Sequence, residues 1–303
     1  MARGPRGLSD AFLLELKTGL LAPIRERVKS DQSLCLELRD NRINVYFRGG
    51  NLMRVSLESA GYIATFDSNY FGGGVGPELP ATLATAADVA SWLLAYPFLK
   101  DAMDLHLGNY SKNEREFQQL LVRDNNFGGT ARASDYYICD IEYANAHGRF
   151  DFVGVHWPST AVDRKKSGGR RLVLGEVKCG DGALDGEAGV RRHVEKVNDY
   201  LANPATIEAL KAEMVTVFNQ KASLGLVECE RPLTGFSGEQ PMMLLVIVNH
   251  DPGKSRLREI LTHLPPSPYA ELRIASASLF GYGLFDPCVV SVDEALRRFA
   301  NCI

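Results

Sequence analysis

The sequence predicts an α/β protein with a mixed central sheet flanked by helices, preceded by an N-terminal α+β region. Three observations predict it. Short runs of β-branched and aromatic residues are bounded by Gly, Asn and Asp turns; segments of helical apolar period alternate with them from residue 111 onward; and 45% of the 303 residues are hydrophobic, an ordinary fraction for a folded chain. Residues 1–108 and 109–303 are expected to form separate regions.

The N-terminal region opens with a helix expected over Ser9–Lys29. Four short strands follow, at Leu34–Arg39, Ile43–Arg48, Leu52–Leu57 and Tyr62–Phe66, separated by Asp40-Asn41, Gly49-Gly50-Asn51 and Gly61. That spacing is a meander with tight turns. The glycine-rich stretch Phe71–Gly76 is a loop, and Thr85–Leu107 a helix interrupted at Pro97. The role of this region is open: it binds substrate, holds a partner or extends the core sheet.

Beyond it, Ser111–Asn125 places Phe117, Leu120, Leu121 and Asp124 on helical spacing, with Ser111 as N-cap and Glu114 in the capping-box position. Asp135–Tyr143 and Arg149–Trp157 are strand-like and flank the turn Asn145-Ala146-His147-Gly148. A third strand covers Arg171–Lys178 after the loop 158–170. Glycines up to Gly186 end it. Helices are expected over Glu187–Leu201 and Ala205–Leu224, a buried strand over Met242–Val248, a short helix over Pro252–Leu261 and a strand over Leu272–Leu279. The element order is αβββαβ, with additions.

Chemistry concentrates on the second and third of these strands. Side chains two apart on a strand share a face, so Glu176 and Lys178 of Glu176-Val177-Lys178 project together, and Asp151 on the neighbouring strand can meet them. Hydrolysis of an anionic phosphodiester needs a cation on the phosphate and an activated water. Mg²⁺ or Mn²⁺ held by two carboxylates supplies the first, and an adjacent ammonium orients water and offsets developing charge. Glu15-Leu16-Lys17 and Asp163-Arg164-Lys165 carry the same acid-x-Lys pattern, but one lies in a helix and the other in a polar loop. The bland reading is an ion cluster on the sheet surface.

In this order of elements, with Asp on the second strand and Glu-x-Lys on the third, the chain resembles the PD-(D/E)XK nuclease superfamily over roughly residues 111–280. The resemblance implies a restriction-endonuclease-like core and a metal-dependent nuclease, an endonuclease rather than an exonuclease, acting on DNA in preference to RNA. By the same carry-over Asp151 and Glu176 are the metal-binding acids, and Lys178 is the catalytic lysine. Phe150 stands where the namesake Pro would be. Many members place a Glu on the first core helix, which Glu116 supplies here in preference to Glu114, whose other role is the capping box. Some members carry Gln-x-x-x-Tyr on the helix after the lysine; Lys196-Val-Asn-Asp-Tyr200 keeps the Tyr but not the Gln. Glu142 and Asp140 on the first strand either add a carboxylate or are simply solvated.

The net charge of −3 argues against a protein that coats nucleic acid indiscriminately, and leaves room for a local basic track. Arg164, Lys165, Lys166, Arg170 and Arg171 crowd the loop between the two catalytic strands, and Arg191, Arg192, His193 and Lys196 lie on the following helix. They are nucleic-acid contacts or a solvated loop and helix face; His193 is expected to be a surface or capping residue. The six cysteines form no CxxC or Cys/His knuckle, so reduced thiols are expected rather than zinc ligands or disulfides. Apolar runs are too short for a membrane span and the N-terminus lacks a secretory core, so a cytoplasmic location is expected; a homodimer is compatible with the chain. A rival motif, Val248–Ser255, resembles a P-loop ending in Gly-Lys-Ser, but Val248 replaces its first Gly, and Asp251 with Pro252 explains it as a helix start. A noncatalytic nucleic-acid or protein-binding module on the same fold is the other competitor.

Overall fold

The computed structural model describes residues 6–110, 113–248, 256–277, 284 and 286–300. Two compact units make up the chain: one of residues 3–119 and 216–227, the other of 120–215 and 228–303 with the first two residues. The N-terminal unit therefore includes a short piece from the chain's later half, residues 216–227.

In the N-terminal unit the expected single helix is two, α1 (Asp10–Lys17) and α2 (Ala22–Ser30). Pro23 sits in the first turn of α2, where its missing N–H costs nothing, and Gly19 breaks the preceding turn; the Glu15 carboxylate folds over it to accept from Leu20 N at 2.6 Å. Strands β1 (Leu34–Arg39), β2 (Arg42–Phe47), β3 (Gly50–Glu58), β4 (Gly61–Thr65) and β5 (Thr82–Leu83) form an antiparallel meander in sequence order. Arg48 and Gly49, with φ of +46° and +76°, make the tight β2–β3 turn. Helix α3 (Ala86–Asn109), started by a Thr85/Asp88 capping box, runs straight through Pro97 instead of stopping there. Proline in a helix interior costs about 3 kcal/mol. Trp92, Tyr96, Leu99 and Met103, all buried around it, offset this, at about 1.5–3 kcal/mol for each large side chain.

Helix α4 (Asn113–Asn126) begins in this unit and ends in the other. The expected Ser111 N-cap lies outside the described residues. After α5 (Gly128–Ala133) comes a six-stranded mixed sheet, ordered β11-β10-β9-β8-β7-β6. Strands β6 (Tyr136–Ala144), β7 (Arg149–His156) and β8 (Arg171–Cys179) are antiparallel neighbours. Helices α6 (Val190–Leu201) and α7 (Pro204–Ser223) form the crossover to β9 (Met242–Val248), parallel to β8. Strand β9 is buried along its whole length, as its unbroken apolar run requires. Next come α8 (Leu257–Thr262), β10 (Glu271–Ala277), parallel to β9, the antiparallel edge strand β11 (Val290–Ser291) and α9 (Val292–Ala300). The expected helix start at Asp251-Pro252 and the rival Gly-Lys-Ser motif fall at 249–255, outside the described residues, as do Leu279 and Cys302. Among the described residues no helix is long and apolar enough to cross a membrane, and Cys35, Cys139, Cys179, Cys229 and Cys288 are not joined in disulfides.

Candidate active site at the end of strand β8

Strands β7 and β8 pair regularly from His156↔Arg171 to Phe152↔Gly175. Gly175 is required there: a Cβ would lie 2.0 Å from the ring of Phe152, which crosses it. Just beyond, the Asp151 side chain takes over from the ladder, and its Oδ2 accepts the Val177 amide at 2.9 Å. Asp151 thus lies beside Glu176-Val177-Lys178, as the alternation of the two strands anticipates.

Glu176 and Lys178 are both buried, and Lys178 Nζ donates to Glu176 Oε1 at 2.7 Å. The other carboxylate oxygen, Oε2, lies 3.0 Å from His193 Nδ1, and His193 Nε2 is 3.5 Å from Lys178 Nζ. With its proton on Nδ1 facing the carboxylate, the imidazole turns the Nε2 lone pair toward the ammonium, so one tautomer serves both neighbours. Burial pushes the Glu176 carboxyl up, but the hydrogen bond from His193 and the charge of Lys178 outweigh it and hold the group below its ordinary value. Glu176 is therefore an anion held in place on both oxygens.

His193 is the residue that sequence reasoning missed. It sits one turn before Val197 and two before Tyr200, both buried, so it shares the inward side of α6. A histidine on the inward face of the helix that follows the Glu-x-Lys strand was the available signal.

The other expected residues fall elsewhere. Glu116 belongs to the N-terminal unit, where it accepts from Arg48 Nε at 3.3 Å; Glu114 is half-buried on the same helix. Glu142 stands between Ile141, opposite Phe152, and Tyr143, opposite Phe150, hence across from Asp151. Its backbone has φ of +53°, and its carboxylate pairs with Arg149 at 3.2 Å. Asp140 is fully buried. Tyr200 is a packing residue: its ring meets Phe150 edge-on at 4.8 Å, closes over Gly148, and its hydroxyl accepts from Asn145 Nδ2 at 3.1 Å, fixing the β6–β7 turn.

The basic loop does not approach this cluster from beside it. It joins the far ends of β7 and β8, five residues from Asp151 and Glu176, or about 17 Å along the strands. Its arginines hold the loop. Arg164 lies over the Tyr137 ring at 4.5 Å and donates to Ser134 O; Arg170, buried, lies over Trp157 at 4.6 Å and donates to Asp163 O and Lys166 O; Arg171 donates to Gln240 O at 2.6 Å and pairs with Glu271. Lys165 and Lys166 are exposed on the loop and Lys196 on α6.

Among the described residues no three His, Cys, Asp or Glu side chains are grouped as a ready-made metal site. The donor set nevertheless fits a hard cation that takes one or two carboxylates and completes its shell with water and substrate phosphate. Each carboxylate oxygen has two lone pairs, so Glu176 keeps one on each oxygen after bonding Lys178 and His193. No protein-family model matches the chain, and neither a curated protein nor a solved structure is significantly similar to it.

Proposed function

We propose that the protein is a metal-dependent phosphodiester hydrolase with a restriction-endonuclease-like core, acting on DNA in preference to RNA. The observation that carries the reading is the buried Glu176–Lys178 pair beside Asp151, at the point where the β7–β8 ladder gives way.

Asp151 and Glu176 would hold Mg²⁺ or Mn²⁺, which supplies charge neutralisation at the scissile phosphate and a more acidic water. Lys178 donates to the attacking water and faces the charge that develops on the phosphoryl oxygens. It is pre-oriented by Glu176 and His193, so no reorganisation is needed when that charge appears. His193 fixes the Glu176 carboxylate through Oε2, the oxygen Lys178 does not bond, a positioning role.

The test is a cleavage panel of linear, circular, single-stranded and branched DNA plus RNA, with Mg²⁺ or Mn²⁺, alongside Lys178→Met. The parent should cut at least one substrate only with metal, and Lys178→Met should be slower by roughly a hundredfold or more with substrate affinity nearly unchanged. Metal-dependent cleavage at the parent rate by Lys178→Met would overturn the assignment of these residues. A parent inert on the whole panel would favour a noncatalytic binding module on the same fold.

A further inference from the structure

Helix α3 is apolar on two sides. On the inner one Val89, Trp92, Tyr96, Leu99, Met103 and Leu107 are buried, with Tyr96 reaching Met53 of β3 at 3.2 Å. Most of its charges are engaged within the same unit: Asp88 caps the first turn, Lys100 donates to Asp31, and Asp104 accepts from Arg48. What remains on the outer side is a second stripe, Ala87, Ser91, Leu94, Phe98, Asp101 and Leu105, in which steps of four and three residues alternate. All six are exposed, Leu94 at 82%, Leu105 at 77% and Phe98 at 50%. Single exposed apolar residues are ordinary on a protein surface. A row of them along about 27 Å of one helix, with apolar packing already complete on the other side, is a surface made to be covered.

Alternating steps of four and three are the spacing at which two helices stay in contact side by side, each side chain entering the gap between those of the other. The stripe is also its own complement. With a second α3 laid antiparallel and the two-fold axis level with residue 96, Ala87 faces Leu105, Ser91 faces Asp101 and Leu94 faces Phe98. Each pair recurs on the other side of the axis, as a two-fold interface requires. Small meets large, and the one charge of the stripe meets its one hydroxyl. A parallel pair would instead set Asp101 against Asp101, like charge on like.

We infer that the outer stripe of α3 is the interface through which two copies of this chain pair, antiparallel, independently of the nuclease reading. Charge selects the occupant. A lipid surface is met by helices with Lys and Arg along the polar rim, whereas the only charged residue among the exposed ones of α3 is Asp101. A second copy answers that charge itself. The Ser91 hydroxyl donates back to Ala87 O at 2.9 Å within the chain, and a rotation about its Cα–Cβ bond turns it to Asp101 of the second copy. Leu94 and Phe98, the two large residues nearest the axis, meet at the centre, where burial excludes water most fully.

The experiment uses the full chain. Sedimentation over a range of about 1 to 200 μM should show the parent passing from monomer to dimer, as suits a helix-pair contact at the small end of specific interfaces. Leu94→Glu and, separately, Leu105→Gln change exposed positions, so both should melt within a few degrees of the parent. Each should raise the dimer dissociation constant roughly tenfold or more. Register is read by mild oxidation with oxidised glutathione. A chain carrying Ser91→Cys and Asp101→Cys together should form disulfide-linked dimers, while either substitution alone should cross-link no faster than the parent with its own cysteines. A parent that stays monomeric at about 200 μM would overturn the inference and leave the stripe to a different partner. A dimer indifferent to both Leu94→Glu and Leu105→Gln would overturn it by placing the interface elsewhere. Cross-linking by a single cysteine variant as fast as by the pair would overturn the antiparallel arrangement.

Discussion

Asp151 Oδ2 accepts the Val177 amide at 2.9 Å, so the first candidate metal ligand is tied to the residue between Glu176 and Lys178. The same carboxylate has a backbone to hold and a charge to offer, and two substitutions separate the roles. Asp151→Asn keeps an oxygen for the Val177 amide and removes the charge. It should melt within a few degrees of the parent while its Mn²⁺ affinity, measured by calorimetry, falls tenfold or more. Asp151→Ala should cost a further 1–3 kcal/mol or so in chemical denaturation, because the amide loses its partner. Equal Mn²⁺ affinity in parent and Asp151→Asn would remove Asp151 from the metal site.

Arg170 and Lys165 share a loop and a charge but not a role. Arg170→Ala removes a guanidinium packed on Trp157 and bonded to two loop carbonyls, and should destabilise the protein by about 2 kcal/mol in urea. Lys165→Ala, at an exposed position, should stay within about 0.5 kcal/mol of the parent. A stable Arg170→Ala with altered nucleic-acid affinity would mean that the arginine faces a ligand after all.

These contrasts mark how far the sequence carries. Strand alternation alone places Glu176 and Lys178 on one face, and Asn41, Gly49 and Gly61 mark turns that the meander uses, because each is a local property of the backbone. His193 escapes a local reading, since its meaning lies in a contact between a helix and a strand seventeen residues apart. The loop arginines escape it for a related reason: charge in a sequence says nothing of whether an aromatic ring waits beneath it. Pro97 and the α1–α2 break err in opposite directions. Buried side chains around Pro97 outweigh its local penalty, whereas at the break Gly19 and Pro23 end one helix and start the next, and Leu21 between them is itself buried.

In the N-terminal unit, Glu37 is a buried anion between two cations, Lys221 at 2.7 Å and Arg39 at 3.7 Å. Removing one cation leaves the other to balance the carboxylate; removing the carboxylate leaves two cations buried together. Glu37→Gln should therefore be the more damaging change, by roughly 3–5 kcal/mol, the scale for an uncompensated buried charge, and Lys221→Met the milder. Urea denaturation ranks them. The opposite ranking would mean that Arg39 does not share the neutralisation of Glu37.

At the far end of the large sheet, His156 Nε2 contacts Asp286 Oδ1 at 2.9 Å. Burial raises the Asp286 carboxyl, but its bonds to His156 and Tyr136 outweigh this and hold it below its ordinary value of 3.8. A carboxyl depressed in the folded state binds its proton more readily when unfolded. Its stabilising contribution is full above the unfolded value and is lost as pH falls through the folded one. Asp286→Asn removes that titration, so the melting temperature of the variant should fall less steeply than the parent's as pH drops below 4. The two curves should run parallel between pH 5 and 6, with the variant lower. Identical acid limbs in parent and variant would show that Asp286 titrates alike in both states and that its contact with His156 contributes nothing to the fold.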